Sequence, residues 1–174
     1  MPKIVDHKAQ RASLVERAIP MFREFGYHGL GMRKIANELG VSKSSLYHYF
    51  PSKEALFAAC SRRISVPEID LPEDPSATER FDALIAVLGA LDDDFRGELS
   101  LLLDYTRGMS REEVAEDALM QEALAGFGEA MVLIVGEEKA ERALQRSLGL
   151  LMLRAFGADA SFESLRELCE RDAT

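Results

Sequence analysis

The chain has 174 residues, of which 47% are hydrophobic and 29% are charged, and its formal net charge at pH 7 is −9. This composition is typical of a folded globular protein and excludes an intrinsically disordered chain. The polar N-terminus, and the absence of an apolar run of membrane-span length in the sequence, predict a cytoplasmic protein without a signal peptide.

The first predicted helix runs from Arg11 to Phe25, after a basic lead-in over residues 1–10. Its apolar positions recur at helical spacing, at Val15, Ala18, Ile19, Phe22 and Phe25. Pro20 lies within this pattern. Because a proline removes a helical hydrogen bond and clashes with the preceding turn, we expect a kink between Glu16 and Pro20. Glycines at positions 26, 29 and 31 follow and predict tight turns.

The next stretch, MRKIANELGVSKSSLYHYF from Met32 to Phe50, predicts two short helices joined by a turn. Gly40 stands where a left-handed residue is needed to end the first helix. Ser42 is a good N-cap for the second, over Lys43–Tyr49, in which Leu46 is the clear inward anchor. The apolar stripe of the first helix consists of Met32, Ile35, Ala36 and Leu39. This spacing is typical of a helix-turn-helix, whose second helix reads DNA.

The outward side chains of this second helix favour contact with nucleic acid. They are short or aromatic hydrogen-bonding groups and none is acidic, namely Lys43, Ser44, Ser45, Tyr47, His48 and Tyr49. A helix in a DNA major groove needs such groups for phosphates and base edges. The alternative is an ordinary pair of bundle helices with a wet, aromatic-rich face.

Charge is divided unevenly along the chain. Residues 1–64 carry a net charge of +6 and residues 65–174 a net charge of −15. We therefore expect a nucleic acid to bind the N-terminal end, while the acidic remainder repels it and orients the encounter.

Three parts are predicted along the chain: a helix-turn-helix domain over residues 1–50, a connecting helix and linker over 51–76, and a helical domain over 77–174. Pro51 ends the reading helix, and Ser52 caps the connecting helix, which carries Leu56, Phe57, Cys60 and Ile64. The segment SVPEIDLPEDPS then predicts a stiff, solvated linker, because it combines three prolines with four acidic residues.

The C-terminal part shows helical stripes and no convincing strand pattern, so the fold class predicted is all-α. Two successive stripes consist of Phe81, Leu84, Ile85, Leu88 and Leu91, and of Leu99, Leu102, Leu103, Thr106 and Met109. A third helix, which ends at Gly136, carries Met120, Leu124, Phe127, Met131 and Ile134. The last two carry Leu144, Leu148, Leu151 and Ala155, and then Phe162, Leu165 and Leu168.

The run from Phe22 to Phe57 resembles the N-terminal DNA-binding domain of TetR/AcrR-type transcriptional regulators. The matching pieces are FGY after the first helix, IA..LGVS through the turn, LYHYF at the end of the reading helix, and SKEAL at the start of the fourth. The resemblance implies a homodimeric, all-α, one-component regulator. Its N-terminal domain would bind double-stranded operator DNA, and its C-terminal bundle would bind an effector and dimerise.

The resemblance also implies which residues contact DNA. They are Arg33, Ser42, Lys43, Ser44, Ser45, Tyr47, His48, Tyr49 and Lys53. Tyr47 matches the family's phosphate-gripping tyrosine, and Lys53 matches a residue that commonly contacts the DNA backbone. For Tyr49 the alternative is packing, since Tyr49 or Phe50 must help to close the small core. Gly31 departs from the family, whose members usually have a Ser or Thr there that caps the helix and touches a phosphate.

A mostly apolar pocket for a small effector is implied for the C-terminal domain. Candidate lining residues are Phe81, Leu84, Leu88, Leu102, Tyr105, Thr106, Met109, Met120, Phe127 and Met131. The alternative for any one of them is ordinary core packing. The acidic excess favours a cationic effector only weakly, because a run of charge is more often a solvated face.

The last two predicted helices, residues 137–155 and 162–171, correspond to the pair that forms a four-helix dimer interface in the family. The candidate interface residues are Leu144, Leu148, Leu151, Ala155, Phe162, Leu165 and Leu168. A twofold dimer presents its reading helices about one DNA turn apart, roughly 34–36 Å, and so matches a palindromic operator.

No pattern for catalysis is present in the sequence, so we expect no enzyme. Cys60 and Cys169 lie far apart and share no ligand spacing with the histidines, so no metal site, disulfide or cofactor is predicted. The favoured function is a repressor released by a small molecule, although an activator fits every residue equally well. The alternative is a ligand-binding or interaction protein of the same fold that has lost operator reading, for which Gly31 and Met32 leave room.

Overall fold

A computed structural model describes residues 6–62 and 69–170. Within these ranges every regular element is helical, which confirms the all-α prediction. The α-helices are α1 His7–Phe25, α2 Met32–Glu38, α3 Lys43–Tyr49, α4 Lys53–Ser61, α5 Ala77–Tyr105, α6 Arg111–Glu116, α7 Ala118–Val135, α8 Glu137–Ala155 and α9 Arg166–Cys169, with a 3₁₀ turn at Phe162–Leu165. The predictions made for Ile64, for the first part of the linker and for Arg171 lie outside the described residues.

The chain divides into two compact units. The first combines Met1–Ile64 with Glu98–Arg111, and the second combines Ser65–Gly97 with Glu112–Thr174. Helix α5 therefore contributes residues to both units. The sequence-based division at residues 50 and 76 instead assigns all of α5 to the C-terminal part, and that division stays a prediction.

Aromatic rings form the centre of the first unit. The Phe57 ring lies 5.1 Å from that of Phe22 and 5.0 Å from that of Tyr105, between centroids. Tyr27 meets Tyr105 edge to face at 4.9 Å. Large buried rings contribute much of the hydrophobic stabilisation of a small unit, and edge-to-face pairs add to it. Tyr105 thus belongs to the core of the unit that carries the helix-turn-helix.

Helix α1 begins at His7, four residues before the predicted Arg11, because Asp6 caps it. The Asp6 carboxylate accepts hydrogen bonds from the backbone N–H groups of Lys8 and Ala9, at 3.0 and 3.2 Å. Pro20 lies inside this helix, which continues to Phe25. The kink expected there stays a prediction.

A single helix replaces the two stripes predicted over residues 81–109. Helix α5 runs without interruption from Ala77 to Tyr105, and neither a proline nor a glycine of positive φ falls within it. Its N-terminus is fixed by a capping box in which the Ser76 hydroxyl and the Glu79 carboxylate exchange hydrogen bonds with each other's backbone N–H. The buried face of its C-terminal part also differs from the predicted second stripe. Leu101 and Tyr105 are buried, whereas Leu103, which the stripe includes, is 62% exposed.

The core of the second unit lies between α5, α7, α8 and the C-terminal turn. Its fully buried members are Leu84, Leu88, Met131, Ile134, Ala143, Leu151 and Leu165. Gly136 ends α7 at φ +85° and leads directly into α8, as the sequence indicated. Arg154 of α8 forms a bidentate salt bridge with Asp92 of α5, with its Nε 2.9 and 2.8 Å from the two carboxylate oxygens. This pair fixes the polar part of α5 to α8.

Candidate nucleic-acid interface

The turn between α2 and α3 forms as predicted. Gly40 adopts φ +66°, which a residue with a Cβ rarely tolerates, and the backbone N–H of Val41 reaches the Ala36 carbonyl at 3.0 Å. Ser42 then caps α3, since its hydroxyl accepts from the backbone N–H of Ser45 at 3.1 Å. Ala36 is only 1% exposed, so its small side chain permits the close crossing of the two helices.

Helix α3 presents a polar outer face on a rigid inner anchor. Leu46 and Phe50 are fully buried beneath it, and the Arg11 guanidinium lies 4.8 Å from the centre of the Phe50 ring. Arg17 ties α1 to the end of α2 by donating to the Leu39 carbonyl at 2.6 Å. Because its supports come from α1 and α2, α3 is held in a fixed orientation, which a reading helix requires.

The predicted base-reading and phosphate-contacting residues of α3 share this outer face. The exposed members are Ser42, Lys43, Ser44, Tyr47 and His48, while Ser45 and Tyr49 are half-buried. The Lys43 ammonium lies 5.6 Å from the centre of the Tyr47 ring, so the two side chains project together. Arg33 is exposed near the start of α2. The exposed residues of α3 can therefore reach a partner from solvent, and contact of the nine predicted residues with DNA stays a prediction.

Lys53 occupies a different environment from the others. Its ammonium donates to the backbone carbonyls of Tyr27 and Leu30, at 2.9 and 3.0 Å, and lies 3.9 Å from the centre of the Tyr27 ring. Two of its three N–H donors are therefore used inside the unit. The structure gives Lys53 a role in holding the loop between α1 and α2, and the contact with the DNA backbone implied by the resemblance stays a prediction.

Gly31 lacks a side-chain cap, as the sequence indicated. It stands at the N-cap of α2 in an extended conformation, φ −116° and ψ 152°, and no side-chain hydrogen bond forms there. The family's expected phosphate-touching hydroxyl is therefore missing at this point.

Tyr27 and Glu54 link the α1–α2 loop to α4. The Tyr27 hydroxyl donates to the Glu54 carboxylate at 2.5 Å. This hydrogen bond is the main reason that the pKa of Glu54 lies below its usual value, because it stabilises the ionised carboxylate. Lys53 and Glu54, at the start of α4, thus both hold the loop that leads into the helix-turn-helix.

Three residues near this interface were not predicted to lie there. His7, placed by the sequence in the lead-in, lies 5.9 Å from His48 between ring centroids. Asp104 accepts from the backbone N–H of His28 at 2.9 Å, and Tyr105 packs against Tyr27. Helical periodicity places residues on a face, but it does not reveal contacts between residues so far apart in the chain.

The ten candidate pocket residues are divided between the two units. Leu102, Tyr105, Thr106 and Met109 fall in the first unit, within Glu98–Arg111. Phe81, Leu84, Leu88 and Met131 lie in the core of the second, with Phe127 packed against it, and Met120 is half-buried on α7. The common pocket stays a prediction.

A cavity of about 660 Å³ opens elsewhere in the second unit. It is lined by Asp92 and Arg96 of α5, by Arg154, and by residues 155–159 at the end of α8. It is a wide cleft open to solvent rather than an enclosed cavity. None of the ten candidate residues lines it, because they were chosen as apolar stripe positions and this cavity is bordered by charged side chains and a turn.

The seven candidate dimer residues also differ in exposure. Leu151, Leu165 and Leu168 are at most 2% exposed and complete the core of their own unit, whereas the remaining four are half-buried. Other apolar side chains at the C-terminal end of α8 are exposed instead: Leu153 in the helix is 52% exposed, and Phe156, the residue after the helix ends, is 79% exposed. The candidate list follows the inward faces of these helices, and the dimer interface stays a prediction.

Helix α7 is, by length and composition alone, apolar enough to cross a membrane. The sequence-based prediction that no apolar run reaches the length of a membrane span was therefore wrong. The evidence for a membrane span is weak, because core helices of soluble proteins pass the same test, and α7 packs along α8.

Comparison with known proteins points to one group. Residues 14–60 match the family described as bacterial regulatory proteins, tetR family. The HTH-type transcriptional regulator RutR of Escherichia coli K12 is 34% identical over 127 residues, which cover 71% of this chain and 57% of RutR. The chain thus spans little more than half the length of that relative.

One further relative and one solved structure are also similar to this chain. The HTH-type transcriptional repressor Rv1474c of Mycobacterium tuberculosis is 36% identical over 64 residues, covering 36% of this chain and 34% of the relative. A crystal structure of a TetR transcriptional regulator from Rhodococcus sp. RHA1 superposes with a TM-score of 0.57 at 22% identity, covering 94% of each chain. That likeness establishes the fold, a helix-turn-helix domain followed by a helical C-terminal part.

Proposed function

The N-terminal domain of this chain belongs to the tetR family of bacterial regulatory proteins, and from this premise we propose that the chain is a one-component, DNA-binding transcriptional regulator. The observation that carries the proposal is the outer face of α3, which combines Lys43, hydroxyl groups and Tyr47 without an acidic residue. Proteins of this family are regulators rather than enzymes, in keeping with the absence of a catalytic pattern in the sequence.

In the proposed complex, α3 lies in the major groove of double-stranded DNA. Lys43, Ser44 and Ser45 at its N-terminal end face base edges, and Tyr47 and His48 face phosphates. Helix α2 braces α3 and brings Arg33 to the groove edge. Phosphate contacts supply affinity and register, while base contacts supply sequence preference.

We further propose that the regulator acts as a homodimer on a palindromic operator. The exposed apolar side chains of Leu153, in α8, and of Phe156, just after α8, support this, because exposed apolar surface marks sites of protein interaction. Leu153→Glu with Phe156→Glu should convert a dimer to a monomer in light scattering. Leu103→Glu is the control, since Leu103 is 62% exposed, between Leu153 at 52% and Phe156 at 79%, but lies in the first unit.

A small-molecule effector in the second unit would release the regulator from DNA. Support comes from the cavity bordered by Asp92 and Arg154, and from α5, which contributes residues to both units. An effector shifts DNA binding only by the difference in its affinity for the two states. We propose that the protein is a repressor and that the effector releases it from its operator. We also propose that the protein is cytoplasmic.

The test of DNA binding is a selection of genomic fragments by the purified chain, followed by titrations over a salt series. We expect retained fragments whose affinity falls steeply with salt, and a loss of about tenfold or more for Lys43→Gln combined with Tyr47→Phe. Arg142→Gln, which removes an exposed charge from α8, is the matched control and should bind normally. Retention of no fragment at any salt concentration would overturn the proposal.

A second candidate function is a helical ligand-binding or interaction protein that no longer reads an operator. The observation that favours it is the uncapped N-terminus of α2 at Gly31. The same selection separates the two functions, because the second predicts a folded protein that retains no fragment.

A further inference from the structure

Three rings join the start of α1 to the end of α3, and we call them the His7–His48–Tyr49 cluster. The ring centroids lie 5.9 Å apart for His7 and His48, 6.0 Å for His7 and Tyr49, and 5.3 Å for His48 and Tyr49. The Tyr49 hydroxyl is 3.3 Å from Nδ1 of His7. Both histidines are exposed, whereas Tyr49 is half-buried. The cluster therefore presents two imidazole rings to solvent beside the outer face of the reading helix.

The charged residues closest to this cluster in sequence are mainly basic. On α1 they are Lys8 and Arg11, whose guanidinium lies over the Phe50 ring, and on α3 the closest is Lys43, whose ammonium lies 5.6 Å from the centre of the Tyr47 ring. The carboxylate of Asp6, which precedes His7, is turned into its own helix, where it accepts from two backbone N–H groups. At the start of α4, the next element, Lys53 and Glu54 are engaged with Tyr27.

Protonation changes what these rings offer to DNA. A neutral imidazole has one N–H donor and one acceptor, whereas the imidazolium carries a positive charge and two donors. The Tyr49 hydroxyl tolerates both forms of His7, because it donates to a bare Nδ1 and accepts from a protonated one. Two imidazolium rings this close repel each other, and a phosphate oxygen at the same surface offsets that repulsion.

We propose that His7 and His48 form a pair of phosphate-contacting residues whose protonation strengthens DNA binding as the pH falls. This inference rests on the proposed DNA-binding function and adds to it a contact residue outside the helix-turn-helix, together with a dependence on pH. The contact is to the backbone, so it acts on any duplex and carries no base preference.

The direction of the effect follows from linkage. DNA binds the protonated pair more tightly, so the complex takes up protons that the free protein does not hold. Affinity is therefore gained as the pH falls and is lost as it rises again. At the acidic end the dependence on salt also steepens, by about 0.9 in logarithmic slope for each histidine that neutralises a phosphate.

The experiment measures the affinity of the full chain for a fluorescently labelled random-sequence duplex, at constant ionic strength and over a series of pH values from alkaline to mildly acidic. The test variant is His7→Gln with His48→Gln, and the matched control is His28→Gln, which removes the third histidine. His28 is exposed, and its ring packs against Tyr27 within the first unit. A second variant, His7→Lys with His48→Lys, supplies fixed cations, and helical circular dichroism checks that all variants fold.

We expect the wild type and His28→Gln to gain roughly tenfold more affinity on acidification than the double glutamine variant, as two added phosphate contacts imply. The double lysine variant should bind tightly with a flat profile. Equal pH profiles for the wild type and the double glutamine variant would overturn the inference while leaving DNA binding intact. Absence of binding at every pH and salt concentration would instead overturn the proposed function, and this inference with it.

Discussion

The carboxylate of Asp104, one residue before the end of α5, accepts a hydrogen bond of 2.9 Å from the backbone N–H of His28 in the α1–α2 loop. The loop that leads into the helix-turn-helix is therefore held by the C-terminal end of a helix whose N-terminal part belongs to the second unit.

Asp104→Ala should destabilise the protein by about 1 kcal/mol, because the His28 N–H loses a charged acceptor at a partly exposed site. Asp104→Asn keeps an acceptor oxygen and should cost less. Urea unfolding followed by circular dichroism measures both. Equal losses for the two variants would show that the hydrogen bond is not the cause.

The same pair predicts a dependence of stability on pH. The hydrogen bond from His28 is the main reason that the pKa of Asp104 lies below its ordinary value. A carboxyl with a lowered folded-state pKa contributes stability that is fully present above its unfolded pKa, about 3.9, and is lost as the pH falls through the folded value. The stability advantage of the wild type over Asp104→Asn should therefore hold at neutral pH and shrink in unfolding curves recorded below about pH 4.

Gly26→Ala should be strongly destabilising. Gly26 has φ +71°, and a Cβ added there would lie 2.7 Å from Oδ2 of Asp104. Backbone strain and this clash together should cost about 2 kcal/mol, measured by thermal unfolding. Gly89→Ala is the control: Gly89 lies within α5 with open space around it, so alanine there should stabilise the helix by roughly 0.5–1 kcal/mol. Removing the carboxylate as well, in Gly26→Ala with Asp104→Ala, should recover the part of the loss that comes from the clash.

The same substitution should lower the stability of the protein at Lys53 and its affinity for DNA at Lys43. Lys53→Met removes donors to the Tyr27 and Leu30 carbonyls, so we expect a loss of about 2 kcal/mol in unfolding free energy. Lys43→Met leaves the fold unchanged, because Lys43 is exposed on α3, and weakens DNA binding instead. Parallel urea and DNA titrations separate the two roles. A stable Lys53→Met that fails to bind DNA would instead support the phosphate contact implied by the resemblance.

Gly31→Ser should stabilise the protein and raise its affinity for DNA. The extended conformation of Gly31 suits an N-cap, and a Cβ there meets nothing within 4 Å. A serine hydroxyl would accept from a free N–H at the start of α2, for a gain of a few tenths of a kcal/mol in thermal unfolding. Gly31→Ala, which brings no oxygen, is the control and should be less stable than either. DNA affinity that rises with serine but not with alanine would show that the hydroxyl also contacts a phosphate.

Neither cysteine should react with iodoacetamide in the folded protein at pH 8. Burial raises the pKa of the Cys60 thiol to about 12, and burial also raises that of Cys169. Both side chains are buried, so the reactive thiolate is scarce and inaccessible. Mass spectrometry should find alkylation at both only after unfolding in urea. Rapid native labelling of either would contradict the burial.

Local chemistry determined a large part of this protein from the sequence alone. Ser42 and Ser52 cap their helices, Gly40 and Gly136 adopt the left-handed backbone, and Leu46 is buried, because each of these depends on residues within about one helical turn. The charge difference between the two ends and the acid-free outer face of α3 are likewise properties of the sequence. They suffice to predict a DNA-binding helix-turn-helix.

Only the tertiary structure decided which long-range contacts those elements make. Periodicity shows that Leu151 and Leu165 are inward-facing, but not whether they face a partner or their own core, and it does not place Tyr105 on the predicted stripe at all. In the folded chain Tyr105 packs on Tyr27, and the two leucines complete the core of the second unit. The Lys53 ammonium meets two carbonyls, and His7 meets His48, because the chain brings together residues that are many positions apart. Such contacts depend on the distances between helices, which a stripe of apolar residues does not encode.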